Sequence, residues 1–323
     1  MNRRKFWICC VMVTSCCQIL PAQTDQKLSE RTRVAAENLA KKQKYELKYR
    51  FEQGEEIRWN VEHVASTKAQ IAGKHEETSS RTQSKKLWRV KNIDSRGNIT
   101  FVHSVESIVF WQKLGDEEPI SYDTESGEPT PESFAPAVEK IGKPLAVVTI
   151  SPQGKVIDRK SGEGQFSFGV GDICTPLPEG RISIGHRWFV PTEFNATDED
   201  GKRLTLKARL NYQLSRVVDS VAVISFRTEV LSPIESDQVR SQLLQKLNSG
   251  YVAFDLEFGR LTTKEVKWNE KVHEYAGPDS FLQYTGRMTE KLALNATDKK
   301  KASNKVGSRT VIKKRGEKPI IRK

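Results

Sequence analysis

The chain has 323 residues, of which 37% are hydrophobic and 29% charged, and a formal net charge of +12. This length allows one large or two medium domains that bury a core without cross-links. Residues 299–323 carry eleven Lys or Arg and one Glu, and three basic residues begin the chain, so the body between them is near −1. A near-neutral body argues against a folded nucleic-acid-binding domain, which needs a basic surface patch. We expect no specific nucleic acid partner.

The first 22 residues have the pattern of a secretory signal peptide. Arg3, Arg4 and Lys5 precede the uncharged apolar run 6–20, and Pro21-Ala22-Gln23 follows. This is the order of a cleavable leader, and the run is too short to span a bilayer stably. The small residue Ala22 predicts cleavage between Ala22 and Gln23. The sequence therefore predicts export to the periplasm or the outside of the cell.

Two other interpretations of the same leader remain open. Val13-Thr14-Ser15-Cys16 resembles a lipobox, in which Cys16 is lipidated and anchors a lipoprotein to a membrane. Arg3-Arg4-Lys5-Phe6 resembles the core of a twin-arginine signal, which directs export of a folded protein. Four of the five cysteines lie in the leader, so cleavage after Ala22 leaves Cys174 without an intramolecular disulfide partner.

The next segments are predicted to be a helical spacer and a first β-rich module. Residues 23–44 place Leu28, Ala35 and Leu39 on one helix face. From Tyr45 the apolar residues alternate with period two, which is typical of strands. The predicted elements of the module, residues 45–160, are strands at 45–51, 57–61, 87–93 and 99–111, a helix opened by Thr130 and Pro131, and a hairpin at 145–158.

A second module, residues 181–294, follows a Gly-rich linker at 161–180. It repeats the same order, with strands at 204–214 and 221–230, a helix, and a hairpin at 251–266. Ser232-Pro233-Ile234-Glu235 has the pattern of a capping box that opens the helix. We predict an α+β fold, mostly antiparallel β, made of two similar modules of long strands, each with a Pro-initiated helix and a hairpin. Gene duplication and the common packing of a helix on a curved sheet both explain the repeated order.

The C-terminal segment 295–323 has little apolar periodicity and is predicted to be disordered. Its basic residues either bind an anionic envelope polymer or lipid head groups by charge, or form a solvated end without a partner. The residues proposed for that contact are Lys299, Lys300, Lys301, Lys313, Lys314 and Arg315.

The stretch from Leu177 to Trp188 contains Leu177-Pro178, then Gly185-His186-Arg187-Trp188. This Leu-Pro…Gly-x-x-Trp motif resembles one found in an uncharacterised family of bacterial, planctomycete-like secreted and lipoprotein β-rich domains. His186 stands where that pattern usually has Asp. Gly54-Glu55 followed by Trp59 is similar to the start of such domains. The resemblance implies secretion and a β-rich domain, and it implies no activity.

The search for chemical sites predicts no catalytic, cofactor-binding or metal-ligating residue. Cys174, His186 and Asp172 are the only local grouping with the parts of a nucleophilic site, but a lone cysteine is usually a small buried residue. No two histidines have the helical spacing of metal ligands, although His63 and His103 lie in strands that could bring them together.

The tryptophans offer a second sign of binding, to an apolar ligand. They either fill the core or line an apolar cavity between sheet and helix, and the residues concerned are Trp59, Trp88, Trp111, Trp188 and Trp268. The function predicted from the sequence is an exported, non-catalytic binding or scaffolding protein of the cell envelope. The alternatives are a periplasmic carrier of lipid or another apolar ligand, and a hydrolase whose site is assembled from distant residues.

The leader interpretations differ in the mass of the mature protein. Cleavage at the first-choice site predicts an intact mass that starts at Gln23 in protein recovered from its native host. A mass that starts at Cys16 with added acyl chains would contradict this prediction and establish a lipoprotein.

Overall fold

The computed structural model describes residues 43–161 and 174–293. The predicted cleavage site at Ala22 and Gln23, the lipidation candidate Cys16 and the basic tail lie outside these residues. The predicted spacer also lies outside them, except for its last two residues. The described chain is mostly antiparallel sheet, as the alternating sequence pattern predicted.

Fourteen strands and three short helical segments make up the described chain. The strands are β1 (Lys44–Glu46), β2 (Glu56–Ile71), β3 (Lys74–Ile93), β4 (Ile99–Leu114), β5 (Ile120–Asp123), β6 (Pro144–Ile150), β7 (Val156–Ser161), β8 (Arg181–Ser183), β9 (Arg187–Thr197), β10 (Arg203–Val218), β11 (Val221–Val230), β12 (Ser249–Asp255), β13 (Arg260–His273) and β14 (Phe281–Ala293). The helical segments are a 3₁₀ turn (Glu132–Phe134), α1 (Ala135–Val138) and α2 (Asp237–Gln242).

One antiparallel sheet contains twelve of the strands, in the order β7-β6-β4-β3-β2-β14-β13-β12-β11-β10-β9, with β5 beside β4. Its two halves are meanders, and they meet where β14 pairs with β2 from Phe281 opposite Gln70 to Ala293 opposite Arg58. The predicted modules, 45–160 and 181–294, therefore share one continuous sheet. β1 and β8 form a separate two-stranded ladder.

The largest hydrophobic cluster lies on one face of this sheet, towards one end of its strands. Side chains of a strand alternate between faces, so every second residue enters the cluster. Phe101 and Val148 come from the first half, and Ile224 and Phe254 come from the second half; all four are fully buried. Burying such a side chain stabilises the fold by about 1.5–3 kcal/mol. The two halves therefore share a core as well as a sheet.

The hairpin predicted at 45–61 does not form. Only the first residues of the predicted strand 45–51 make a ladder, and they pair with β8 rather than with β2. Further along, the backbone N–H of Tyr49 donates to the carbonyl of Pro152 at 2.7 Å. The alternation that predicted a strand is real, but its cause is that Leu47 and Tyr49 insert into the core.

The described end of the predicted linker, residues 174–180, is also part of the core. Cys174 and Leu177 are buried in the largest cluster. The Tyr49 hydroxyl donates to the Thr175 carbonyl at 3.0 Å, and the Thr175 N–H donates to the same hydroxyl at 3.1 Å. The Gly- and Pro-rich composition predicted a linker, but residues 174–180 form an extended segment that packs into the core.

The second helix begins later than the sequence predicted. α2 starts at Asp237, and its N-cap is Ser236, whose hydroxyl accepts from the N–H of Val239 at 3.5 Å. The predicted cap, Ser232, instead accepts the N–H of Lys207 at 2.8 Å. The chain at Ser232 is still held beside β10, so the capping-box pattern there does not open a helix.

The first helix is shorter than predicted, and its cap is different. Pro131 is the N-cap of the 3₁₀ turn rather than its first residue, and the hydroxyl of Thr130 is 2.9 Å from that of Tyr122. The predicted apolar face is present, since Phe134 stacks on Phe110 of β4 with 4.8 Å between ring centroids. Packing rather than capping therefore holds this segment.

A buried ion pair crosses β2 and connects the two halves. Lys86 of β3 and Glu290 of β14 are both buried, and Lys86 Nζ lies 2.9 Å from Glu290 Oε2. The ammonium also lies 5.1 Å from the ring centroid of Trp59 and 5.6 Å from that of Trp88. Removing one partner of such a pair leaves a buried charge unpaired, which costs about 3–5 kcal/mol.

We expect Lys86→Met to lower the free energy of unfolding by about 3–5 kcal/mol, because Glu290 then loses its counter-charge in the core. The double change Lys86→Met with Glu290→Met should recover much of that loss. Lys85→Met is the control: its partner Glu125 lies 3.0 Å away on an exposed surface, and the change should cost at most about 1 kcal/mol. Urea unfolding measures all three. Equal losses for Lys86→Met and Lys85→Met would contradict the role of the buried pair.

Candidate functional site

A groove crosses the middle of the sheet on the face opposite the largest core. It has a volume of about 890 Å³ and is lined by β4, β3, β2, β14 and β13. Three apolar side chains on it are exposed: Val64 by 46%, Val109 by 39% and Trp111 by 36%. We call it the central groove, and it is lined chiefly by Val64, Ser66, Ser79, Arg81, Gln83, Val109, Trp111, Thr285 and Arg287.

Strand register places the side chains of the central groove in rows. Trp111 lies opposite Arg81, Arg81 opposite Val64, and Val64 opposite Arg287, so one row crosses four strands. Val109 lies opposite Gln83 in the next row. Neighbouring rows on one face are about 7 Å apart, so Val109 and Trp111 are adjacent, while Arg81 stands between Trp111 and Val64.

The two arginines in this row are held by carboxylates. Arg81 Nε donates to Glu62 at 3.0 Å, and Arg287 donates to Glu265 at 3.1 and 2.7 Å. A hydrogen bond from Lys267 and the bonds from Arg287 keep the pKa of Glu265 below its usual value despite burial. The charges at the groove are therefore paired.

Smaller hollows extend the central groove in both directions along the strands. One, of about 410 Å³, shares Gln83, Val109 and Arg287 with it. The other, of about 620 Å³, shares Ser79 and Trp111 with it. The surface is thus a long channel rather than a compact pocket, and it suits an elongated occupant.

Small residues create the space. Ser79 of β3 and Ser66 of β2 line the groove between the larger Trp111 and Arg287. On β14, a Cβ added at Gly286 would lie 3.1 Å from the ring of Trp268, closer than ordinary contact. Because Gly286 has no side chain, there is room for the ring of Trp268 beneath the groove.

The tryptophans predicted to mark a ligand site divide between two roles. Trp59 and Trp88 are buried in the core, and the indole N–H groups of Trp188 and Trp268 donate to the carbonyls of Pro176 and Gln245 at 3.0 Å. Only Trp111 lies exposed in the central groove. The predicted place between helix and sheet is occupied instead by clusters of buried side chains.

An apolar run in β4 indicates this groove from the sequence alone. Ile108-Val109-Phe110-Trp111 is a run of four apolar residues within one strand. A strand presents alternate residues to opposite faces, so such a run must place two apolar side chains on each face. Ile108 and Phe110 are buried against α1, and Val109 and Trp111 face the groove.

The local grouping around Cys174 does not form a catalytic site in the described chain. Cys174 is buried, and its Sγ lies 3.5 Å from the carbonyl oxygen of Gly154. His186 is exposed and stacks beside Trp188, with 6.3 Å between ring centroids. Asp172 lies outside the described residues.

The histidines in strands do not meet. His63 lies opposite Thr82 of β3, whereas His103 lies opposite Trp88 of the same strand. His63 packs against the edge of Trp268, and burial lowers its pKa. Within residues 43–161 and 174–293, no group of three or more His, Cys, Asp or Glu side chains is arranged to hold a metal ion.

Comparisons with known proteins give only a weak likeness to solved structures. No protein-family model and no curated protein matches the chain. Among solved structures, one of lipovitellin, described by its lipid–protein interactions, aligns with a TM-score of 0.41 and 10% identity over 76% of this chain. The aligned part spans about a quarter, 26%, of the lipovitellin chain. Among the described residues, no helix is long and apolar enough to cross a membrane.

The buried His103 predicts a pH dependence of stability. Burial, and then the charges of Lys86 and Arg159, lower its pKa from 6.5 to about 3. Between these values the unfolded chain binds more protons, so His103 makes the fold less stable as the pH falls below about 6.5.

We expect about 2 kcal/mol of the stability lost between pH 7 and pH 5 to come from this group. His103→Gln should remove that part of the slope in urea unfolding, and the exposed His273→Gln should not. A slope unchanged by His103→Gln would show that His103 is protonated in the folded protein.

Proposed function

We propose that the protein is an exported binding protein that holds an elongated apolar ligand, such as the acyl chain of a lipid, in the central groove. The observation that carries this proposal is the exposed apolar pair Val109 and Trp111 on β4, with Val64 two strands away, in a groove of about 890 Å³. Its volume lies within the range of small-molecule sites, roughly 300–1,000 Å³. Adjacent exposed apolar side chains on a soluble protein commonly mark a binding surface.

The shape and the charges of the groove favour a chain-like ligand. The two extensions along the strands lengthen the surface, and charged side chains line both of them. Beside the apolar residues, the ion pairs Arg81–Glu62 and Arg287–Glu265 hold the charges in place. Affinity for an acyl chain must then come from apolar contact, at about 0.8 kcal/mol for each methylene removed from water. Because this gain must exceed the cost of association, most of the acyl chain has to be covered by the groove.

The leader and the tail support the location that we propose for the protein. The signal-peptide pattern before Gln23 and the resemblance of Leu177–Trp188 to secreted bacterial domains support export. The basic residues after Lys299 support contact with an anionic envelope polymer or lipid head groups. A carrier held near the envelope by this tail would take up and release its ligand close to a membrane. Scaffolding in the envelope remains the alternative prediction from the sequence.

Substitution of Val109 tests the proposal. We expect Val109→Asp to weaken binding of a fluorescent undecanoic acid by about tenfold or more, because it buries a charge against the acyl chain. Fluorescence titration of the full chain measures the affinity.

Val156→Asp is the matched control, since Val156 is an exposed valine of β7 outside the groove, and it should leave the affinity unchanged. Unaltered binding by Val109→Asp, or no binding by the unmodified protein, would contradict the proposed function.

A further inference from the structure

A second groove, on β9, β10, β11 and β12, differs from the central groove in chemistry. It has a volume of about 650 Å³. Register places its side chains in two rows: Arg187, Gln213 and Ser225 form one, and Phe189, Asn211, Arg227 and Ser249 form the other. Tyr251 of β12 lies opposite Ser225, just beyond the residues that line the groove. We call it the arginine groove. Its floor is made of amide and hydroxyl side chains.

The arginine groove contains more positively charged side chains than negatively charged ones. Arg209 Nε is 2.9 Å from Glu229, which also accepts from Asn211 at 2.8 Å, and these bonds lower the pKa of Glu229. Arg187 and Arg227 are exposed and make no hydrogen bond or ion pair with any described side chain. In the central groove both arginines are paired. Two guanidinium groups here are therefore available to an anion.

Aromatic rings stand at both edges of this polar floor. Phe189 on β9 is 60% exposed, and the guanidinium carbon of Arg209 lies 5.7 Å from its ring centroid. Tyr251 on β12 is also exposed. Three strand spacings separate the two strands, so the rings lie roughly 14 Å apart across the sheet. A ligand that contacts both rings must be several units long.

We propose that the arginine groove binds an anionic oligosaccharide. Sugar rings present apolar C–H faces that pack on Phe189 and Tyr251, while their hydroxyls both donate to and accept from amide side chains such as Asn211 and Gln213. The planar guanidinium groups of Arg187 and Arg227 match carboxylate or phosphate oxygens on the sugar. An acyl chain does not suit this floor, because it would cover amides and hydroxyls without hydrogen-bonding them. This site is independent of the acyl-chain proposal.

The test uses the full chain and titrates an oligogalacturonate of six sugars by calorimetry. We expect Arg187→Ala and Arg227→Ala each to weaken binding roughly tenfold, because each removes a charge-assisted hydrogen bond. Phe189→Ala should also weaken it. Arg203→Ala is the matched control, since Arg203 is an exposed arginine of β10 outside the groove. The basic tail is present in every variant, so any binding to it cancels in the comparison.

Two further ligands distinguish the contribution of the negative charge from that of the sugar rings. The methyl ester of the same oligosaccharide lacks the charge, so Arg227→Ala should weaken its binding much less than it weakens binding of the acid. A phosphorylated oligosaccharide that binds with the same dependence on Arg227 would support the site and identify phosphate as its preferred anion. Equal affinities for the Arg187→Ala, Arg227→Ala and Arg203→Ala variants, or an equal effect of Arg227→Ala on acid and ester, would overturn the proposal.

Discussion

The pairing of β2 with β14 is the constraint on which the described structure depends. These strands lie far apart in sequence, yet their ladder joins the two meanders into one sheet. The Lys86–Glu290 pair crosses that junction in the core, and the Lys86 ammonium lies within 5.6 Å of two indole ring centroids. A buried pair of this kind adds little net stability but strongly disfavours registers that separate its partners. We infer that it fixes how the halves align.

One of the two proposed binding surfaces follows from this alignment. The central groove takes strands from each side of the junction, so Val109 and Trp111 share a surface with Arg287 only because β2 pairs with β14. The arginine groove lies wholly within the second half, on four consecutive strands. One sheet thus presents an apolar surface at its centre and a polar, cationic one nearer the β9 edge. Together they would suit a protein that carries an amphiphile near a glycan-rich envelope.

The sequence predicted the positions of several strands but not which strands pair with each other. Alternation identified β4, β10 and β11 closely, because each has one face in the core. No strand was predicted at β14, and alternation does not reveal pairing over long distances, so the β2–β14 ladder was not predicted. Neither were the core positions of residues 47–51 and 174–177, whose patterns resembled a hairpin and a linker. The central groove was also missed, because Val64 lay beyond the predicted strand 57–61 and Val109 was read as an ordinary residue of the predicted strand 99–111.

The most direct test of the account locates a bound acyl chain on the sheet. A spin-labelled fatty acid broadens the NMR signals of nearby protons, and each tryptophan gives a separate indole N–H signal. We predict selective broadening of the Trp111 signal, assigned by its loss in Trp111→Phe, while the buried Trp59 and Trp88 are much less affected. Broadening of Trp188 instead of Trp111, or of no indole signal at saturating ligand, would contradict the central claim that the groove across β2 and β14 is the ligand site.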